Sequence, residues 1–395
     1  MSAAPGVPKA AMTAINDFLD NCVRVEPGQE ILLLAHVDGL YGGDNVVDQD
    51  AIGWIQSGIA ARGANPSVLW IDEPMKPHAW RIPPAAKAAI RASDILILNS
   101  LDLELEENVE MKDLAFRDHI PHVRNFATTA PLLCTAWART PYELVSQIRH
   151  EASLPFVPGF SWEMWDDRGT QMTGVVLPPG GADQGVAAES TRVFFPAYDV
   201  WRHEYGGYYR PWPEWVFPPI SMGDVNGTCV FDCMLSYWSR FIGISPYFSS
   251  PIKLVVEDSR IVGIEGGEEA EALKRFLVKM KEILGDGVYR FDHLHGGVHP
   301  QASVSPYQCP NILHRRMIEH AHTCNIHVHV GAPDWTPSYN YWMHCTGDLR
   351  TASLRVGDNL VWDRGYLTAL DSPAVKAVAT KYPDRPGLQP EPRSW

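Results

Sequence analysis

Histidine is the residue type most able to do chemistry in this chain, and most of it lies in one stretch. Nine of the fifteen histidines fall between positions 293 and 344 of the 395 residues: His293, His295, His299, His314, His320, His322, His327, His329 and His344. Neutral imidazole is the commonest protein ligand for transition metals such as zinc and iron, and the usual acid–base group near neutral pH. The stretch therefore predicts a metal site.

Three segments carry the histidines whose spacing suits a shared ion. Residues two apart on an extended strand face the same side, so His293 and His295 can point together, as can His327 and His329. The third segment, residues 343–348, supplies His344. His293 and His344 are the favoured ligands, and His327 is open between a ligand and a structural role. The others, including His299, are interpreted as groups that orient the ligands or face a substrate.

The remaining polar residues of the region also have structural interpretations, which do not involve a metal. Residues 317–323 predict a helix, which puts His314, His320 and His322 at its surface or ends. Asp348 follows a glycine, so its carboxylate suits either a metal or a turn. Cys345 adjoins His344, but neighbours on an extended chain face opposite ways, which favours a buried, inert thiol.

Length, composition and charge bound the class of protein. A chain of 395 residues predicts two domains, which we divide into residues 1–153 and 154–395. The formal net charge of -14 argues against nucleic acid and anionic membrane partners, and no apolar run is long enough to span a bilayer. The seven cysteines form no CxxC pair, and the N-terminus has no secretory pattern, so a cytoplasmic location is expected.

The two halves predict different folds. Strand and helix patterns alternate over residues 1–153, which indicates an α/β domain with an open, mostly parallel sheet covered on both faces. The run at residues 30–36 is typical of a strand buried on both faces. The second half predicts a mixed α+β domain that carries the metal site. It contains a hairpin that turns at Asp258 and Ser259 and an amphipathic helix over residues 268–284.

The C-terminal half resembles the 2,5-dihydroxypyridine dioxygenases, which share their fold with the aminopeptidase T type of metallopeptidase. The similarity runs through Asn226-Gly227-Thr228, Phe231-Asp232 and Ile264-Glu265-Gly266-Gly267 to Tyr289 and His293, and it resumes at His344 and Leu349-Arg350. The resemblance implies this fold, a metal-dependent activity and a homo-oligomer.

The resemblance also implies a ligand set. His293 and His344 fall on the two histidines that bind Fe(II) in the dioxygenases, and His327 falls on a metal histidine of the peptidases. The third dioxygenase ligand is an aspartate two residues after the second histidine, where this chain has Thr346, and the nearest carboxylate is Asp348. A single metal held by His293, His327 and His344 is the predicted site, with Thr346 and Asp348 open as third ligands.

Three functions follow from this site. The leading hypothesis is a mononuclear non-haem Fe(II) dioxygenase that opens a hydroxylated aromatic or N-heteroaromatic ring with O2, with His295 or Arg350 binding a substrate carboxylate or acting as acid or base. The alternative is a zinc-dependent hydrolase with Asp348 or Glu214 as the base. A third is a binding protein that has lost its chemistry. The flat walls of a ring pocket are expected from Trp201, Trp212, Trp215, Trp335, Tyr339, Tyr341 and Trp342.

Overall fold

The computed structural model describes residues 6–36, 47–71, 82–99, 120–178, 201–202, 208–213, 220–331 and 345–390. The helices are α1 (Lys9–Asp17), α2 (Gln49–Ala60), α3 (Pro84–Arg91), α4 (Ala130–Leu133), α5 (Ala136–Arg139), α6 (Tyr142–Ser153), α7 (Ser236–Ile242), α8 (Glu268–Leu284), α9 (Ile312–His320) and α10 (Pro373–Ala379). A π-helical segment, Phe18–Val23, continues α1, and short 3-10 helices span Asp286–Tyr289 and Thr368–Asp371.

The strands belong to two sheets. They are β1 (Glu30–His36), β2 (Asn65–Ile71), β3 (Ile95–Asn99), β4 (His122–Asn125), β5 (Ser161–Trp165), β6 (Gln171–Val176), β7 (Trp201–Arg202), β8 (Tyr208–Trp212), β9 (Ile220–Cys233), β10 (Tyr247–Glu257), β11 (Arg260–Glu265), β12 (Phe291–Gly296), β13 (Ile326–Val330), β14 (Cys345–Leu349), β15 (Ser353–Val356), β16 (Asn359–Asp363) and β17 (Tyr366–Leu367).

The first sheet has the strand order β2-β1-β3-β4-β8-β7 among the described residues. Its pairs are parallel from β2 to β8, and β7 pairs antiparallel with β8. The predicted α/β class and the mostly parallel sheet are therefore confirmed. The last two strands come from residues 201–212, so the sheet also takes strands from beyond the predicted boundary at residue 153. The division into two domains stays a prediction.

The central strands of this sheet are buried on both faces, as the apolar run predicts. Ile31, Leu33 and Ile97 face the large hydrophobic core, which also contains α1 and α2. Leu34 and Leu98 alternate with them and face a smaller cluster under α3. Burial on both faces removes the polar alternation that a half-exposed strand would show.

The second sheet is antiparallel and carries the histidine-rich strands at one end. Among the described residues its order is β14-β13-β12-β9-β6-β5-β15-β16-β17, with β10 paired to both β9 and β11. The predicted hairpin is confirmed, because β10 and β11 join through Asp258 and Ser259, whose φ angles of 46° and 61° are those of a turn with two left-handed residues. Helix α8 has the predicted bounds.

No helix among the described residues combines the length and the apolar character that crossing a bilayer requires.

Burial on both faces of β1 predicts that neighbouring residues are equally sensitive to truncation. Leu33→Ala and Leu34→Ala each remove a fully buried side chain, and each is expected to lower the free energy of unfolding by about 2–5 kcal/mol. Val262→Ala, on the exposed side of β11, is the control and is expected to change it by less than about 0.5 kcal/mol. Urea unfolding measures all three. A loss confined to one of the two leucine variants would mean that β1 buries a single face.

Candidate metal centre

Antiparallel pairing brings the histidines of β12 and β13 side by side. His293 lies opposite His329, and His295 lies opposite His327. Because residues two apart on a strand share a face, all four rings lie on the same side of the sheet. Their neighbours on the other side, including Leu294 and Val328, are buried in the hydrophobic core.

Strand β14 extends this polar face by one further strand. Thr346 lies opposite His329, and Asp348 lies opposite His327. The face thus has two rows across the three strands, one of His293, His329 and Thr346, the other of His295, His327 and Asp348. Helix α9 contributes His320, whose ring stacks on that of His327 with centroids 3.5 Å apart.

The imidazole nitrogens converge in two groups that share His295. The outer group is His293, His295 and His329, and the inner group is His295, His320 and His327. In each group the candidate ligand atoms lie within 4.8 Å of one another, which is close enough for one cation to reach all three. Both groups consist of buried residues, although His295 and His293 keep 7% and 4% of their surface exposed while His327 keeps none.

The outer group is linked by short contacts. The rings of His293 and His329 stack with centroids 4.0 Å apart, and Nε2 of His295 lies 2.6 Å from Nε2 of His329. One proton can serve that nitrogen pair, so at least one of the two nitrogens presents a lone pair. On its other side, Nδ1 of His329 lies 3.2 Å from the hydroxyl of Thr346, which orients the ring.

In the inner group, hydrogen bonds define the tautomers of His327 and His320. Nε2 of His327 donates to the backbone carbonyl of His320 at 2.7 Å, so its Nδ1 carries the lone pair. Among the described residues this buried Nδ1 has no hydrogen-bond partner. Burial holds the pKa of His327 well below its usual value, and the nearby Arg316 guanidinium lowers that pKa further. His327 is therefore neutral, and its Nδ1 lone pair is available to a metal ion.

Asp348 fixes the other ring of the inner group. Its carboxylate accepts a hydrogen bond from Nδ1 of His320 at 2.9 Å and forms an ion pair with Arg316, four residues earlier on α9. All three side chains are buried. A ring held at Nδ1 by a carboxylate leaves Nε2 as its ligand atom, the usual arrangement around metal-binding histidines.

A close approach of backbone sets the position of this helix end. A Cβ atom on Gly297, just after β12, would lie 2.1 Å from the carbonyl oxygen of His322 in the turn after α9. Glycine is thus required there for the turn to pack against the strand. This packing of the turn fixes the end of α9, where His320 reaches the polar face.

The structure brings together several of the sequence-predicted residues. His293, His295 and His327 lie on the polar face, but His293 belongs to the outer group and His327 to the inner. His344 lies outside the described residues. Asp348 is fully buried and engaged by Arg316 and His320, and Arg350 forms an ion pair with Asp232. Cys345 is buried, as expected, and burial raises the pKa of its thiol.

The interpretation of His314, His320 and His322 as helix-surface residues is wrong. Their exposed fractions are 1%, 1% and 3%, because α9 packs between the polar face and the core instead of lying on the surface. The helix also starts earlier, at Ile312, than residues 317–323 suggest. The sequence did show that Arg316 and His320 lie four residues apart and therefore share one face of the helix.

The expected aromatic walls are represented by one described side chain. Trp212 is fully buried and packs against Phe18 with ring centroids 4.5 Å apart, so it belongs to the core. The side chains of Trp201, Trp215, Trp335, Tyr339, Tyr341 and Trp342 lie outside the described residues.

A solved structure of a dioxygenase has a similar fold. It is that of 2,5-dihydroxypyridine dioxygenase from Pseudomonas putida KT2440, with a TM-score of 0.61 and 16% sequence identity over 91% of this chain and 96% of the dioxygenase chain. No protein-family model and no curated protein matches the sequence. At this identity the likeness shows a common fold. The resemblance to the dioxygenases therefore extends to the architecture of nearly the whole chain, and the link to the aminopeptidase T type stays a prediction.

The buried ion pair predicts a large cost when one of its charges is removed. Asp348→Asn leaves the Arg316 guanidinium buried without its counter-charge, so the free energy of unfolding is expected to fall by about 3–5 kcal/mol in urea denaturation. The double variant Arg316→Met, Asp348→Leu removes both charges and is expected to lose less than Asp348→Asn.

An exposed ion pair supplies the control for this series. Glu271→Gln breaks the contact with Lys274 on α8 and is expected to leave the free energy of unfolding nearly unchanged, because solvent screens an exposed ion pair. If Asp348→Asn costs no more than this control, the pair does not secure α9.

The buried histidines predict a loss of stability in mild acid. Burial lowers the pKa values of His299 and His314 to about 3, whereas the unfolded chain binds these protons with pKa values of about 6.5. The unfolded state therefore holds more protons between those values, and the free energy of unfolding falls as the pH drops through that window. His314→Gln removes one titration and is expected to make the fall shallower. Urea unfolding of metal-free protein at several pH values compares the slopes, and equal slopes would mean that His314 keeps its ordinary pKa.

Proposed function

We propose that this protein is a mononuclear non-haem Fe(II) dioxygenase that opens a hydroxylated aromatic or N-heteroaromatic ring. The observation that carries the proposal is the outer group, in which three imidazoles from two strands converge at the more accessible end of the polar face. His293, His295 and His329 are the proposed ligands on the described strands. His344 remains the ligand expected from the sequence resemblance.

The donor set fits a ferrous ion. Imidazole is an accepted ligand of Fe(II), and three of them on one side of a six-coordinate ion leave positions for other molecules. Bound there, the ion supplies the redox chemistry and the Lewis acidity that a reaction between O2 and an aromatic ring needs. The similar fold of a protein described as 2,5-dihydroxypyridine dioxygenase supports this class of reaction.

The charge of the site supports an anionic substrate. The outer group provides neutral imidazoles and the hydroxyl of Thr346, and the nearest carboxylate of the polar face, Asp348, is engaged by Arg316. A divalent ion there has no protein counter-charge among the described residues of the outer group. A ring hydroxylate, with one or two negative oxygens, supplies that charge and is thereby selected over neutral rings.

The protein side chains have two tasks in this proposal. Burial of the three rings limits the access of water to a reactive centre. Thr346, at Nδ1 of His329, holds that ring in one orientation.

The zinc hydrolase alternative draws on the same histidines, because three imidazoles also suit zinc. It requires a general base beside the ion, and the sequence suggested Asp348 or Glu214, of which Glu214 lies outside the described residues. A fully buried carboxylate paired with Arg316 and His320 is poorly placed to accept a proton from water. The oxygenase is therefore the better-supported function.

Oxygen consumption tests the proposal. The purified chain, loaded with Fe(II) without air, is mixed with a panel of dihydroxypyridines and hydroxylated benzoates in an oxygen electrode. We expect uptake of one O2 per ring opened, and loss of at least about a hundredfold in kcat/KM for His293→Ala and His329→Ala, because each removes a ligand. His344→Ala is expected to behave in the same way.

His150→Ala is the matched control. His150 lies on α6, in neither histidine group, and its removal is expected to leave uptake unchanged. Full activity in His293→Ala would exclude the outer group. Amide or ester hydrolysis with zinc, without oxygen uptake on the whole panel, would favour the hydrolase.

A further inference from the structure

We propose that the inner group, His295, His320 and His327, is a second cation site that holds a structural divalent ion such as zinc. The proposal concerns a different pair of rings from the outer group and does not require the ferrous ion proposed there. It rests on three features of the described residues: one orphaned ligand atom, fixed tautomers and a carboxylate behind one ring.

The orphaned atom is Nδ1 of His327. This nitrogen is buried and has no hydrogen-bond partner among the described residues, while the other ring nitrogen donates to the carbonyl of His320. A buried polar atom without a partner destabilises the folded state, so binding of a ligand to that atom would be favourable. His327 belongs to a group of three histidines whose candidate ligand atoms lie within 4.8 Å of one another, so a cation is the partner that we assign to this lone pair.

The second ring is oriented by its own carboxylate. Asp348 accepts the Nδ1 hydrogen of His320, which leaves Nε2 of that ring as the donor toward the group. Asp348 is in turn held by Arg316 from the same helix. Two of the three ligands are thus arranged before any ion arrives, and little ordering remains to be done on binding.

Charge and coordination indicate which ions fit. Three neutral imidazoles form the donor set of several zinc proteins, and zinc accepts a fourth ligand such as water or a small anion. The Asp348 carboxylate contacts both His320 and Arg316, so its charge lies between the site and the guanidinium and offsets the repulsion between that cation and the ion. Hard ions that prefer oxygen, such as magnesium and calcium, would be rejected.

Burial points to a structural role. His320 and His327 have exposed fractions of 1% and 0%, below those of His293 and His295 in the outer group. An ion among them would join α9 to β12 and β13, in addition to the stacking of His320 on His327, the hydrogen bond between those two residues and the Asp348 contacts. His295 belongs to both groups, and its neutral ring has one lone pair, so it binds both ions together by releasing its N–H proton to solvent and bridging them through its two nitrogens.

Zinc stoichiometry tests the proposal on the full chain. The protein is stripped with a chelator, incubated with zinc sulfate, freed of unbound metal, and its zinc per chain is measured by elemental analysis. We expect two zinc ions in the unaltered chain and in His314→Gln, a buried control on α9 that belongs to neither group. One ion is expected in His320→Gln, which spares the outer group, and one in His293→Gln, which spares the inner group.

The other outcomes separate this inference from the proposed function. One ion that is lost in His293→Gln and kept in His320→Gln would overturn the inner site while leaving the outer ion intact. One ion with the reverse pattern would support the inner site and contradict the ferrous site. No bound zinc, or zinc that neither substitution lowers, would overturn the inner site.

A second measurement does not depend on the folding of an inner-group variant. In His293→Gln the inner group is complete, so zinc is expected to raise the Tm of this variant, since an ion that binds only the folded state stabilises it. Cobalt(II), as a coloured substitute, is expected to give the visible absorption of nitrogen ligation in the same variant. Absence of both signals would overturn the proposal.

Discussion

Five imidazole rings pack against one another inside this protein, and the polar face of the C-terminal region is organised around their contacts. The rings of His320 and His327 stack at 3.5 Å and those of His293 and His329 at 4.0 Å, distances at which two imidazolium charges would repel strongly. Burial lowers the pKa of His327, which favours its neutral form. The polar face thus brings imidazole nitrogens close together, as the binding of a cation requires.

The Arg316–Asp348 pair links this face to the helix that covers it. Asp348 opposes His327 across β13 and β14, while Arg316 and His320 reach the carboxylate from α9. A buried ion pair adds little net stability compared with apolar packing, but it penalises any arrangement that separates its charges. It therefore specifies where the helix end lies, and with it the position of the His320 ring.

The same pair accounts for a departure from the resembled family. The dioxygenases have an aspartate ligand where this chain has Thr346, and the carboxylate here is two residues further along β14. Because residues two apart on a strand share a face, both Thr346 and Asp348 lie on the polar face. Thr346 lies in the row of His293, whereas Asp348 lies in the row of His295. In that row, the carboxylate of Asp348 orients the imidazole of His320.

The sequence alone determined those features that depend on local periodicity. Local patterns encode the secondary structure of β1, α8 and β13, through an apolar run, an amphipathic pattern and an alternation respectively. The density of histidines predicts a metal site in the same way. The facing pairs His293–His329 and His295–His327 depend on the register between strands that are more than thirty residues apart, which no local pattern records. The place of His320 depends on how α9 docks, and its spacing on the helix was equally consistent with solvent. Tertiary structure decided which imidazoles meet, because pairing and docking energies are sums over distant contacts, whereas helix and strand patterns are written in neighbouring residues.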